Sequence, residues 1–155
     1  MLRLALTFIL VILLTISTAF ADITGKPRVV DGDTIIIRKT RIRLHGIDAP
    51  EYKQKCNFGD RVYSCGKVAK DILIQSIGTK RVTCKGDKKD RYGRLIAVCF
   101  AGPHDLNAKM VRQGWALAYR RYSTDYVDDE NDAKVARKGL WRGSFEPPWE
   151  WRRNR

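Results

Sequence analysis

Three carboxylates and two arginines stand out in this chain of 155 residues. Asp33 ends the stretch Val29-Val30-Asp31-Gly32-Asp33, just before Thr34. Asp48 and Glu51 flank Ala49-Pro50, Arg43 lies in the run that leads to them, and Arg94 closes Asp90-Arg91-Tyr92-Gly93-Arg94. The background is strongly basic, with 30 Lys and Arg against 17 Asp and Glu and a formal charge of +13. A chain this basic attracts polyanions. Carboxylates kept in such a chain suit a hard metal ion and a proton acceptor. Arginine presents a rigid fork to two phosphate oxygens and stays charged. The set reads as metal-assisted cleavage of a phosphodiester.

Each residue also has a plainer reading. Asp31-Gly32 is a common turn dipeptide, and acids beside it can satisfy the turn's own amides. Asp48 and Glu51 could be two solvated acids at a loop end. Arg43 and Arg94 are two of thirty basic side chains, most of which serve only as solvated surface charge. The stretch at 31–34 is not an EF-hand loop, because the later ligand positions are absent. It is the ordering of elements around these residues that decides between the readings.

The N-terminus is a targeting segment: Arg3, then an apolar run from Leu4 to Ile16, then Ala19-Phe20-Ala21. That layout predicts a secretory signal cleaved after Ala21. The run is shorter than the roughly 20 residues that span a bilayer, so a membrane role is expected only if the segment stays uncleaved. Export fits the even cysteine count, Cys56, Cys65, Cys84 and Cys99. Of the three pairings that four cysteines allow, Cys56–Cys65 would close a loop and Cys84–Cys99 would cross-link a hairpin. A zinc site is the rival, but there is no C-x-x-C pair, and neither His45 nor His104 sits near a cysteine at finger-like spacing.

Val29-Val30, the Asp31-Gly32 turn and Thr34 to Ile37 predict strand, turn and strand. Arg41 to Ile47 alternates charged and apolar residues, as a half-buried strand does. Pro50 leaves 48–55 as loop. Lys67 to Ile77 has helical spacing with Gly78 as its stop. Arg81 to Cys84 and Leu95 to Phe100 read as strands joined by a hydrophilic loop, 85–91. Asp105 is placed to cap a helix from Leu106 to Gln113, and 125–138 reads as a helix with acids early and bases late. Strands with one apolar face, followed by helices, favour a small closed or nearly closed barrel with helices packed outside.

In that order the segments resemble the staphylococcal-type thermonuclease family. The carrying residues are Val30-Asp31-Gly32-Asp33-Thr34, Ile42-Arg43-Leu44-His45-Gly46-Ile47-Asp48-Ala49-Pro50-Glu51 and Asp90-Arg91-Tyr92-Gly93-Arg94-Leu95. Asn107, Met110 to Gly114 and Ala133 to Trp141 are similar to the family's later helices, so the likeness runs from about Val29 to Trp141. The resemblance implies an α+β, mainly β fold: a five-stranded OB-fold barrel with three packed helices over 22–145, after a signal peptide at 1–21 and before a basic aromatic tail at 146–155. It implies a calcium-dependent nuclease acting on DNA and RNA, leaving 3′-phosphate ends. It makes Asp33 and Asp48 the metal ligands, Glu51 the general base or water-orienting group, and Arg43 and Arg94 the donors to the scissile phosphate. Asp31 would orient the turn or stand behind the ligands. A relative of the family has threonine at the position of Ala49, and only a main-chain contact survives that change.

Strict alternation puts Arg43 and Asp48 on opposite strand faces. Both can serve one site only if the chain bends between them, and Gly46 is the place for it. Tyr92, Tyr119 and Tyr122 lie among arginines, where aromatic faces suit core packing or the stacking of unpaired bases. Trp141, Trp149 and Trp151 with the late arginines predict a tryptophan-anchored tail over the barrel. His45 has no catalytic assignment. The expected partner is single-stranded DNA or RNA met by a monomer in the periplasm or outside the cell, with no stable protein partner. Two other readings stay open at this level: a non-catalytic nucleic-acid-binding module on the same fold, and a basic surface-binding protein.

Overall fold

The computed structural model describes residues 22–155; the expected signal segment, 1–21, lies outside the described residues. Asp31-Gly32 turns the chain between β2 (Pro27–Asp31) and β3 (Thr34–Ile37), with a register shift between Val29 and Asp31. β3 continues into β4 (Thr40–Leu44) through a turn in which Arg38 has φ +56°. β4 runs parallel to β9 (Leu95–Ala101), which pairs antiparallel with β8 (Val82–Lys89). β1 (Ile23–Gly25) adds to the far side of β8, giving the order β1-β8-β9-β4-β3-β2. Only Lys26 separates β1 from β2, yet the two strands are the opposite edges of the sheet. A sheet whose edges are one residue apart in sequence has to curl.

The curl encloses one core. β9 alternates so that Leu95, Ala97, Cys99 and Ala101 are buried, and Ile35, Ile37, Ile42, Leu44 and Val82 join them. Burial of a branched aliphatic side chain contributes about 1.5–3 kcal/mol, and this set supplies most of the drive to close the barrel. Helix α1 (Cys65–Ile77) turns Ala69, Leu73 and Ile77 inward. Gly78 ends it with φ +58°. α2 (Leu106–Arg112) starts where Asp105 accepts a bond from the Ala108 amide at 3.0 Å, and it buries Leu106, Met110 and Val111. This is the α+β, mainly β architecture the sequence predicts, a curled half-barrel with helices on it.

Several local expectations change. Most of the hydrophilic segment 85–91 is not loop: β8 runs to Lys89, with every side chain from Lys85 to Lys89 exposed. Main-chain pairing to β9 holds it in place, so no apolar residue is needed to mark it. A short hairpin, β6 (Cys56–Phe58) with β7 (Arg61–Tyr63), lies in a region without strand alternation, and the Cys56–Cys65 disulfide fastens its base. The second disulfide joins the paired residues Cys84 and Cys99. α3 is shorter than expected, Val127–Val135, because Arg137 leaves the helical region at φ +49° and the Lys138 amide turns back to the Ala133 carbonyl. The small strands are β5 (Ile47–Asp48), β10 (His104–Asp105) and β11 (Leu117–Ala118). After a 3₁₀ turn at Gly139–Arg142, the expected tail contains a fourth helix, α4 (Pro148–Arg153). No helix among the described residues is long and apolar enough to cross a membrane.

Candidate active site

The bend expected between Arg43 and Asp48 is present. β4 ends at Leu44, Gly46 has φ +71°, and β5 resumes at Ile47 against β11. A side chain at Gly46 would strain the backbone and press on Tyr126. Asn107 holds the bend from below. Its amide donates to the carbonyls of His45 (2.9 Å) and Ala97 (3.2 Å), and its oxygen accepts from the Cys99 amide (3.1 Å). The reversal carries Asp48 round to Arg43, and Arg43 Nη2 donates to Asp48 Oδ1 at 2.7 Å.

Asp33 arrives from the β2–β3 turn. Its Oδ1 accepts from the Thr34 hydroxyl at 2.9 Å, its Oδ2 from the Ala49 amide at 2.8 Å, and Arg43 Nη1 completes its shell. One guanidinium therefore bridges two buried carboxylates. Asp31 orients the turn, its Oδ1 accepting from the Asp33 amide at 3.2 Å. Gly32 lets this turn pack against Ala49 and Ala69, where a Cβ would come within 2.9 Å of both methyl groups.

Charge sets the protonation of this group. Burial pushes Asp33 up, but Arg43 and the Ala49 amide outweigh it and hold the carboxyl below its ordinary value. Burial raises Asp48, with the neighbouring Asp33 adding to it against the arginines. Burial, then the Asp33 charge, push Asp31 up to about 7. The raised carboxyls show that this cluster carries more acid than Arg43 alone offsets, and a positive charge placed there favours their ionised forms.

Glu51 stands at the rim on a fixed loop. Its amide donates to Gln54 Oε1 at 3.2 Å, and its carbonyl packs so closely on Gly66, near the start of α1, that any Cβ there would collide with it. Gln54 is fully buried and donates to the Glu146 carbonyl at 2.7 Å, tying this loop to the approach to α4.

Sequence reasoning missed Arg152. From α4 it lies across the acids: Nη1 donates to Asp48 Oδ1 at 3.0 Å and to Glu51 Oε1 at 2.7 Å, and Nη2 to Asp48 Oδ2 at 2.8 Å. Trp149, one turn earlier, stacks flat on Tyr119 with centroids 5.4 Å apart. The tryptophan-rich tail does anchor on the barrel as expected, but it also brings a charged group into the site.

The other expected residues are placed less centrally. Arg94 does not join the carboxylates: its Nε donates to Asp90 Oδ2 at 2.7 Å within the β8–β9 turn, and its guanidinium lies over the Tyr92 ring. Tyr92 is exposed and also carries Arg91 over its face. Tyr122 meets Tyr119 edge-on at 4.8 Å. Ala118, Tyr119, Arg120, Arg121, Trp149 and Arg152 are among the residues lining an open pocket of about 470 Å³ beside the acids.

Asp33 and Asp48 are the hard oxygen donors a divalent cation takes, buried side by side with Glu51 at the more exposed rim. Among the described residues no third acid, histidine or cysteine joins them as a ready cage. A cation held by these two acids would need water, main-chain and phosphate oxygens besides, as partly hydrated ions do. The chemistry the group can do is polarisation and attack at a phosphate held between the carboxylates and the guanidiniums.

The match to known proteins agrees with this geometry. Residues 41–143 fit the family described as staphylococcal nuclease homologue. An uncharacterized endonuclease of Escherichia coli O157:H7 is 39% identical over 142 residues, spanning 85% of this chain and 86% of that protein. A micrococcal nuclease of Shigella flexneri is 36% identical over 162 residues, 92% of this chain and 88% of its own. A probable staphylococcal-like nuclease of Oryza sativa subsp. japonica is 32% identical over 125 residues, 79% of this chain and 31% of its own.

Proposed function

The chain belongs to the staphylococcal nuclease family and is a phosphodiesterase, and we propose that it is an exported, calcium-dependent enzyme that hydrolyses DNA and RNA, with single strands preferred. The observation that carries the reading is the pair of buried acids, Asp33 and Asp48, sharing the Arg43 guanidinium while Glu51 stands beside them at the rim. Asp33 and Asp48 would hold the cation, which when bound polarises the phosphate and offsets its charge. Glu51 takes a proton from, or orients, the attacking water. Arg43, fixed between two acids, presents donors to the phosphate oxygens as negative charge builds there. Arg94 sits outside this group, and engaging the phosphate requires it to leave Asp90.

The leaving group in this reading is the 5′ oxygen, so the products carry 3′-phosphates. Single strands are favoured because a shallow rim with Tyr119 and Tyr122 beside it can take a splayed base but cannot reach into a duplex. Export is favoured by the N-terminal segment and by two disulfides, which persist in oxidising compartments. The test is cleavage of labelled single-stranded DNA and RNA by the oxidised protein, in calcium and in chelator, with the ends identified. The reading expects calcium-dependent cleavage with 3′-phosphate products. Equal cleavage in chelator would overturn the cation assignment, and 5′-phosphate ends would overturn the direction of attack.

A further inference from the structure

We propose that Arg152, carried by the C-terminal helix, is a substrate-binding residue of the reaction and supplies a guanidinium to the scissile phosphate in addition to Arg43. The inference rests on the hydrolytic reading above. Two arginines were expected at the phosphate. The structure keeps Arg43 between the acids and turns Arg94 onto Asp90. The guanidinium that spans Asp48 and Glu51 belongs to Arg152.

Its placement is built. Trp149 stacks on Tyr119, and Gln54 links the Glu51 amide to the Glu146 carbonyl. The same buried glutamine thus fixes both the proton acceptor's loop and the start of α4. Arg152 uses three of its five N–H groups on the two acids, leaving two for another oxygen. Its side chain is about one-third exposed and faces the open pocket beside the acids. A phosphate drawn to the Asp48 side, with water at Glu51, would lie within reach of that fork. Held beforehand by the acids, the guanidinium needs little reorganisation when charge develops, which is where such donors count most.

The test compares wild type with Arg152→Lys, Arg152→Ala and Arg155→Gln. Steady-state cleavage of single-stranded DNA, calcium affinity by calorimetry and the thermal midpoint are measured for each. Arg155 sits over Trp151 away from the acids and serves as the charge control. Arg152→Lys keeps the charge but loses the fork, and its kcat/KM is expected to fall at least tenfold, chiefly in kcat. Calcium affinity should hold or tighten, and Arg155→Gln should cleave as wild type. Added guanidinium ion should partly restore Arg152→Ala. Cleavage by the Arg152 variants at or above the wild-type rate would overturn the proposal and make the contact a block on the site. Loss of cleavage in step with calcium affinity would also overturn it, because Arg152 would then serve only to shape the acids. If wild type itself does not cleave, the hydrolytic reading fails first.

Discussion

At the scale of single residues, Arg43 bears the heaviest demand. It lies between Asp33 and Asp48 with only a small part of its side chain exposed, so its position is set before any substrate arrives. A lysine there keeps the charge but cannot bridge both acids and also meet a phosphate oxygen. Arg43→Lys is expected to lower kcat by about 10²–10³, the scale seen when one preorganised donor to developing charge is lost. Single-turnover cleavage with the thermal midpoint alongside checks it. Asp33, Asp48, Glu51 and Arg43 were legible because each lies in a short, distinctive run of sequence. Arg152 was not. Its partners are about a hundred residues away, and nothing in Trp149-Glu150-Trp151-Arg152 distinguishes a site arginine from a surface one. The sequence also named Arg94 as a phosphate donor, but its placement depends on the turn's own acid, Asp90.

At the scale of elements, the site depends on one reversal. The need for a bend near Gly46 followed from parity, since residues 43 and 48 cannot share a face of a regular strand. What holds the bend was less visible. Asn107 on α2 makes three bonds to main-chain groups of the turn and of β9, all inside the barrel. Asn107→Ala takes the side-chain partner from the His45 carbonyl and the Cys99 amide, while the Ala97 carbonyl keeps its bond from the His45 amide. It is expected to destabilise the fold by about 2–4 kcal/mol, at about 1–3 kcal/mol for a buried unsatisfied group and with more than one exposed. Urea unfolding measures this, and the cleavage rate should fall as well, because Asp48 follows the bend. The strand order and the helices were legible from apolar periodicity. β8 beyond Lys85 and the β6–β7 hairpin were not, because main-chain pairing and a disulfide hold them rather than a buried side-chain pattern.

At the scale of the molecule, the chain sets a small acidic centre in a basic surface. The +13 formal charge attracts a polyanion from a distance, and in the proposed reading Asp33 and Asp48 would hold a cation that lets its phosphate settle. Binding of single-stranded DNA should therefore weaken steeply with salt. For three or four phosphates met by Arg43, Arg152 and the pocket arginines, log affinity should fall with log salt at a slope of about −2 to −3. Fluorescence anisotropy at several salt concentrations reads the slope, and a flat response would remove the electrostatic part of the account. The chemistry itself turns on Glu51, which in the proposed reaction activates or orients the attacking water while Asp33 and Asp48 hold the cation. Single-turnover cleavage of single-stranded DNA by wild type and Glu51→Gln, at calcium concentrations calorimetry shows to be saturating, tests it most directly. The account predicts a rate about 10²–10⁴ lower in Glu51→Gln with the fold intact. A Glu51→Gln enzyme that cleaves at the wild-type rate would contradict it.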